Sequence, residues 1–480
     1  MPNKLEKRFI AASVGLLLFL GLIIVKDFPT HAGNETTRLD TIQCLAEKGT
    51  FAIETSRFPT VDFILKGGHA YSDKPYLLSV AQAGIYWLIM QTGVTFESSV
   101  QTAVYLIYFL GGYLFAVGIF LLFYRMVSER LPDASFAWRL GMSWAVVLTT
   151  LILSYSVTIN NHLPAALVLL WLAYELGRYE ESPSMRHAGL AGVAAGLLVN
   201  FEYPIGGVFG IAAFLLILLP QKAKPHFKPA AVYSAVALAG LALIPLLNLI
   251  AHGSPIPLYS QTHKVAVEGR DYLRYLWEVT FGYKGMFLYT PALLFIFPAC
   301  RKLADEKHPR GKTILLSAAA VVFVAYLFLT SDAGGWCFGN RFLLPLCPLM
   351  FYYIVLYLRD WRKDARHWLF LGTLIWGLAV AVIGATNPWP NTHEGFSVNA
   401  SWADQQVQNP IAGNFLAVSY EYCPRFPLTQ FLIHRVYGEE AAVSYLIYAY
   451  FNTYNVPMLN KLGGLYHPPP KPGEKVGPAR

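Results

Sequence analysis

Charged residues are scarce in this chain. Asp, Glu, Lys and Arg make up 14% of the 480 residues, against about 25% in ordinary soluble domains. That shortage argues against a soluble enzyme. Cysteine is scarce too. Five in a chain of this length make no disulfide framework, and there is no Cys-x-x-Cys or His-Glu-x-x-His with which to hold zinc. No metal site is expected: the carboxylates show no ligand spacing, so a divalent ion would be a cofactor without support in the sequence. Inverted internal repeats, common in transporters, are missing. Ionisable side chains are almost absent from the centres of the apolar runs, which disfavours a transporter or lipid flippase.

What the chain does have is apolar bulk, 55% hydrophobic and 15% aromatic residues with a mean hydropathy of +0.42. Apolar runs lie near residues 9–25, 100–124, 140–157, 163–177, 188–201, 204–219, 230–251, 286–300, 313–330, 341–358 and 368–386. They predict an all-α integral membrane protein, a polytopic helical bundle of about eleven spans. With the N-terminus in the cytoplasm, 20 of the 37 basic residues fall on the short cytoplasmic segments, from Lys4, Lys7 and Arg8 to Arg359, Arg362, Lys363 and Arg366. The net charge of +8 is then explained by the positive-inside rule, and nucleic acid is not expected as a partner.

This topology divides the chain into four parts. Residues 1–26 are a retained anchor span, 27–98 a large extracytoplasmic loop, 99–386 a bundle of about ten spans, and 387–480 an extracytoplasmic tail, disordered from about 466 where Pro, Gly and Lys dominate. Residues 76–93 are apolar but read as a juxtamembrane helix, because a crossing there would turn the later basic loops outward. Location in the cell's inner membrane follows, with membrane lipid as a partner.

The first loop has the patterning of folded structure. Thr37 can cap a helix ending at Gly49. Gly67-Gly68 sits between two short strand-like segments and predicts a hairpin. Pro75 suits the first turn of the helix that follows. Three cysteines, Cys44, Cys337 and Cys423, face outside, where one pair could bridge.

The segments Asn34-Glu35-Thr36-Thr37-Arg38-Leu39-Asp40, Gly49-Thr50-Phe51 and Gly67-Gly68-His69-Ala70-Tyr71-Ser72-Asp73-Lys74-Pro75 resemble the first outer loop of GT-C glycosyltransferases. The aminoarabinose-transferase and protein O-mannosyltransferase branch is the most similar. Phe201-Glu202-Tyr203-Pro204, Gly285 to Pro291 and Gly334 to Pro345 add to the resemblance, which spans most of residues 1–360. It departs in two places: the acidic pair before the Arg reads Asn34-Glu35, and Lys-Pro-Pro reads Lys74-Pro75-Tyr76. The resemblance implies an N-in first span, 11–13 spans, a catalytic first outer loop, and transfer of sugar from a polyprenyl-phosphate lipid to an acceptor (lipid, glycan or protein) outside the cytoplasm.

Glycosyl phosphates leave as phosphate, so the chemistry needs cations on the leaving group and a carboxylate to take the acceptor's proton. Glu35 is the first candidate base, with Asp62 and Asp40 in reserve. Lys74, Arg38 and Arg341 are the candidates to hold the donor phosphate. The alternatives are a snorkelling lysine for Lys74, an ion pair with Glu35 for Arg38 and a pairing with Asp332 for Arg341. His69, Tyr71, Glu202 and Trp336 are candidate substrate contacts; His69 and His162 also read as lone packing or surface histidines. A non-catalytic GT-C-like membrane protein remains the competing class beside a transporter.

Overall fold

A computed structural model describes residues 4–29, 33–58, 60, 62–219, 225–258, 260, 272–304, 310–329, 337–389, 409–422 and 427. Trp336, Asp332, Cys423 and the tail beyond residue 427 lie outside these residues.

The first long helix is α1, Lys4–Ile24. The first loop then folds as α2, Asn34–Lys48, the strands β1, Phe63–Lys66, and β2, His69–Ser72, and α3, Tyr76–Met90. The hairpin pairs antiparallel, Phe63 opposite Ser72 through Lys66 opposite His69. Its two-residue turn works because Gly67 and Gly68 both take positive φ, 61° and 85°. Gly49 stops α2 with φ 67°, its N–H bonding back to Leu45 O. Helix α2 begins at Asn34, three residues earlier than the expected cap at Thr37. The Thr37 hydroxyl instead donates to Asp62 O at 2.6 Å, which ties the helix to the loop before the hairpin.

Helix α3 has 15 residues. At about 1.5 Å per residue it is too short for a hydrocarbon core of about 30 Å. It lies against α2, with the Tyr86 hydroxyl donating to Glu47 at 2.7 Å. Gln82 donates to Gly111 O at 2.8 Å. Gly111 sits in a π-helical turn, Phe109–Tyr113, that joins α4, Val100–Tyr108, to α5, Leu114–Arg130, in one long rod.

The bundle continues with α6, Phe136–Leu148; α7, Leu151–Ser156; α8, His162–Glu181; α9, Met185–Phe201; α10, Tyr203–Leu218; α11, Phe227–Leu241; and α12, Leu243–His252. After α13, Tyr272–Thr280, and α14, Met286–Tyr289, come α15, Ile296–Ala304; α16, Arg310–Leu329; α17, Leu346–Leu358; α18, Ala365–Thr386; and α19, Pro410–Tyr422. Helix α9 is the hub, packed on α8, α10 and α11. It meets α11 closely because Gly196 faces Gly240: a β-carbon on Gly196 would lie 2.9 Å from the Gly240 Cα.

Among the described residues, five helical stretches are long and apolar enough to cross a membrane: Lys4–Ile24, Val100–Arg130, Phe227–His252, Gly311–Phe328 and Ala365–Thr386. Three expected spans are broken. Residues 140–157 divide at Thr149 and Thr150, where the Thr150 hydroxyl takes the Ile152 N–H and caps α7. Residues 286–300 break at Pro291 into a 3-10 turn. Residues 341–358 start as a 3-10 turn, Arg341–Leu343, and become helical only after Pro345. The third break leaves irregular backbone near the end of the bundle that carries α2, while the first lies level with Gly377, midway along α18.

Candidate active site

Helix α2 is short, polar and buried, from Asn34 through Cys44. A polar helix is covered on all sides only where its side chains find partners. At about 100° per residue, Glu35, Arg38 and Ile42 share one face, and Asp40 lies roughly 140° round from Glu35.

Glu35 is fully covered. Its Oε1 accepts from the indole Nε1 of Trp389 at 2.8 Å, and the buried Tyr108 side chain stands close by. Lys26, at the end of α1, adds a cation nearby; burial lowers its pKa, while Glu35 and Asp27 pull it the other way. The Lys26 ammonium donates to Thr386 O at 2.8 Å.

Arg38 is among the largest fully buried side chains in the protein. Its Nε donates to Asn34 Oδ1 at 3.2 Å, and its Nη1 has no hydrogen-bond partner among the described residues. Burial lowers its pKa to about 10, against the pull of Asp73, Glu202 and Asp62, with Arg341 pushing the same way as burial. It therefore stays a cation at neutral pH. Arg341 lies over two rings, Trp389 at 5.2 Å and Phe342 at 5.3 Å. Trp389 thus bridges Glu35 and Arg341, an indole between an anion and a cation.

Glu202 ends α9 and pairs with His162 at the start of α8, Oε1 to Nδ1, 2.6 Å apart. The Tyr326 hydroxyl donates to its other oxygen at 3.4 Å, and Phe342 sits edge-on to the imidazole, centroids 5.8 Å apart. His162 is therefore not the lone packing histidine that its sequence neighbourhood predicts.

Lys74 stands at the mouth of this cluster. Its ammonium lies 2.9 Å from Asp62 and 2.9 Å from Asp73, so it is held rather than snorkelling. The structure thus brings Glu35, Arg38, Lys74, Arg341, Glu202 and Asp62 to one end of the bundle. Three other expected residues lie elsewhere. Asp40 faces the loop at 56–58, accepting from the Ser56 hydroxyl, with the nearby Phe58 N–H also favouring its charged form. His69 is exposed on the hairpin and pairs with Glu54 at 2.6 Å. Tyr71 is buried beside His252 in a small cluster with Phe51 and Tyr76. Cys44 and Cys337 are unbridged, and Asn34 of the N-glycosylation sequon Asn34-Glu35-Thr36 is buried in α2, which closes it to glycan. No group of three His, Cys, Asp or Glu side chains able to hold a metal occurs among the described residues.

Sequence reasoning missed Trp389, Lys26 and the His162–Glu202 pair. Trp389 follows the last apolar run in Asn387-Pro388-Trp389, and an aromatic at a span end reads as an interfacial anchor.

No protein-family profile matches the chain, and no curated protein sequence does. Solved structures do. ArnT from Cupriavidus metallidurans in the apo state superposes with a TM-score of 0.50 at 13% identity, over 92% of this chain and 74% of that one. The same protein bound to undecaprenyl phosphate gives 0.49 at 12% identity, with the same coverage. The oligosaccharyltransferase of Archaeoglobus fulgidus gives 0.49 at 11% identity, over 94% of this chain and 61% of that one. The match to apo ArnT is a match of fold.

Proposed function

We propose that this chain, which has the fold of the GT-C membrane glycosyltransferases, moves a sugar from a polyprenyl-phosphate donor to an acceptor outside the cytoplasm, with inversion. One observation carries the reading: a fully buried guanidinium, Arg38, and a partly buried one, Arg341, share the end of a lipid-embedded bundle with the covered carboxylate Glu35. Buried cations of that kind call for an anion. A lipid phosphate, entering from the bilayer with its chain still in the hydrocarbon, supplies one.

In this reading Arg38, Arg341 and Lys74 hold the phosphate and take up its growing negative charge as the sugar–oxygen bond breaks. The acceptor hydroxyl attacks the anomeric carbon from the opposite face, and its proton goes to Glu35. Phosphate is a good leaving group without protonation, so no general acid is assigned. Glu35 must first lose its contact with Trp389, which makes the indole the group that substrate displaces.

Lipid mass spectrometry on the purified protein tests the donor class: a co-purified prenyl phosphate supports it. Transfer measured in membranes tests the site. Glu35→Gln is expected to slow transfer by about 10²–10⁴-fold, and Lys74→Ala to weaken donor use. Unchanged rates in both variants would refute the assignment. A second reading, a non-catalytic membrane protein of this fold, draws on the complete cover over Glu35; it predicts no prenyl phosphate on the protein and no effect of either variant beyond stability.

A further inference from the structure

At the end of the bundle remote from Glu35 lies a cavity of about 410 Å³, lined by Arg130, Lys312 and Arg359, the acids Asp133 and Asp360, and apolar walls that include Leu131 and Leu356. It forms where α5 and α17 end, the α5–α6 connection passes, and α16 begins. The volume lies in the range of small-ligand sites, roughly 300–1,000 Å³.

The charges around it are unequally engaged. Asp360 is occupied: it accepts from the Ser135 N–H at 3.1 Å, the Ser135 hydroxyl at 2.9 Å and the Trp361 N–H at 2.7 Å. Those three donors, with burial opposing them, leave its pKa below the usual value. Arg130 pairs with Glu181 at 3.2 Å. Asp133 is exposed. Arg359 differs from all of these in its backbone. It alone among the described non-glycine residues has positive φ, 68°, with ψ −58°. The Asp360 N–H bonds to Leu358 O at 2.9 Å across it. This is a γ-turn of the rare strained hand, a conformation that glycine would adopt at less cost. An arginine kept there, at the rim of a cavity that also holds a lysine, points to work for its guanidinium.

The level of the cavity in the membrane decides what that work is. Beside it Trp361 packs edge-on to Trp368, centroids 5.3 Å apart, and Trp368 and Leu369 are exposed on the outer face of α18. Exposed tryptophan next to basic residues at a span end marks the boundary between hydrocarbon and headgroups. Basic pockets between spans at that level suit phosphate headgroups.

We propose that this cavity binds the phosphate headgroup of an anionic membrane lipid, with Arg359 and Lys312 as its cationic contacts. The site is separate from the proposed transfer centre and stands whether or not that reading holds.

Native mass spectrometry of the full chain, released from mixed phosphatidylcholine and phosphatidylglycerol nanodiscs, tests it. Phosphatidylglycerol is expected to be retained in preference to phosphatidylcholine. Arg359→Ala should weaken that retention about fivefold, and adding Lys312→Ala should weaken it roughly thirtyfold. Arg186→Ala, at the same end but outside the cavity, should change nothing. Arg359→Gly separates binding from folding: it relieves the turn, so Tm should rise while lipid retention falls as in Arg359→Ala. Wild-type retention in Arg359→Gly would overturn the proposal. Displacement of the lipid by inorganic phosphate in the buffer would overturn the lipid assignment in favour of a soluble phosphate ligand.

Discussion

Asp40→Asn is the substitution whose consequence follows most directly from the structure. Asp40 is 1% exposed. Burial raises its pKa to about 8, against the Ser56 and Phe58 donors that favour the charged form. Its Oδ2 has no hydrogen-bond partner among the described residues. In the unfolded chain the same group titrates near 3.8. Between these values folding takes up a proton, so the folded state is favoured below about 4 and loses that advantage as pH rises to about 8. Taken whole, the shift is worth on the order of 5 kcal/mol, the amount by which a neutral residue here should outlast aspartate in alkali. Asparagine reproduces the protonated form in shape and keeps an oxygen for Ser56 and Phe58. The purified protein's Tm, followed from pH 4 to pH 9, should fall in the wild type and stay nearly level in Asp40→Asn, with the curves close at pH 4. Parallel curves would refute the buried, proton-holding Asp40. Transfer activity should survive the change, because Asp40 faces away from Glu35; its loss would return Asp40 to the candidate bases.

Trp389→Phe removes the indole N–H from Glu35 while keeping a ring beside Arg341, and should change transfer more than Tm; a Tm loss with unchanged transfer would make Trp389 a packing residue. Gly196→Val puts branched bulk against the Gly240 backbone and should lower stability by about 1–3 kcal/mol, read as a drop in Tm; an unchanged Tm would mean that α9 and α11 can separate without cost. His162→Gln removes the imidazole from Glu202 and leaves the carboxylate buried with Tyr326; the expected loss is about 3–5 kcal/mol, read as a drop in Tm, and an unchanged Tm would argue against the pair.

The fold was legible in the sequence where local rules govern. Gly67-Gly68 announced the hairpin because two positive φ values in a row suit little else, and Gly49 marked the end of α2 for the same reason. The membrane class followed from apolar runs and scarce charge. Span integrity was less legible. The division at Thr149 and Thr150 is made by a hydroxyl cap inside an apolar run, where hydropathy averages over it. In the site, Glu35, Arg38, Lys74 and Arg341 were named from sequence, three of them within 40 residues. Asp40 was drawn in by proximity along the chain and placed elsewhere by helical periodicity. Trp389, 354 residues from Glu35, and Glu202, paired with His162 across two helices, depend on tertiary packing that one sequence does not display.

Charge balance then limits how the proposed donor can bind. Among the described residues, four cations, Lys26, Arg38, Lys74 and Arg341, stand with five carboxylates, Asp27, Glu35, Asp62, Asp73 and Glu202. An arriving phosphate adds negative charge to a cluster with no cation to spare, so a carboxylate must release its cation or take a proton. Lys74 is the contact most open to exchange. It is shared between Asp62 and Asp73, and Asp62 is about a third exposed, so giving up that contact costs little. Asp62→Asn should therefore bind undecaprenyl phosphate more tightly, by roughly two- to fivefold for a contact worth about 0.5–1 kcal/mol. Lys74→Ala should bind it more weakly, and the double variant should lose the gain. Weaker binding in Asp62→Asn would mean that Asp62 positions Lys74 for the phosphate rather than competing with it, and exchange at Lys74 would have to be abandoned as the way the anion enters.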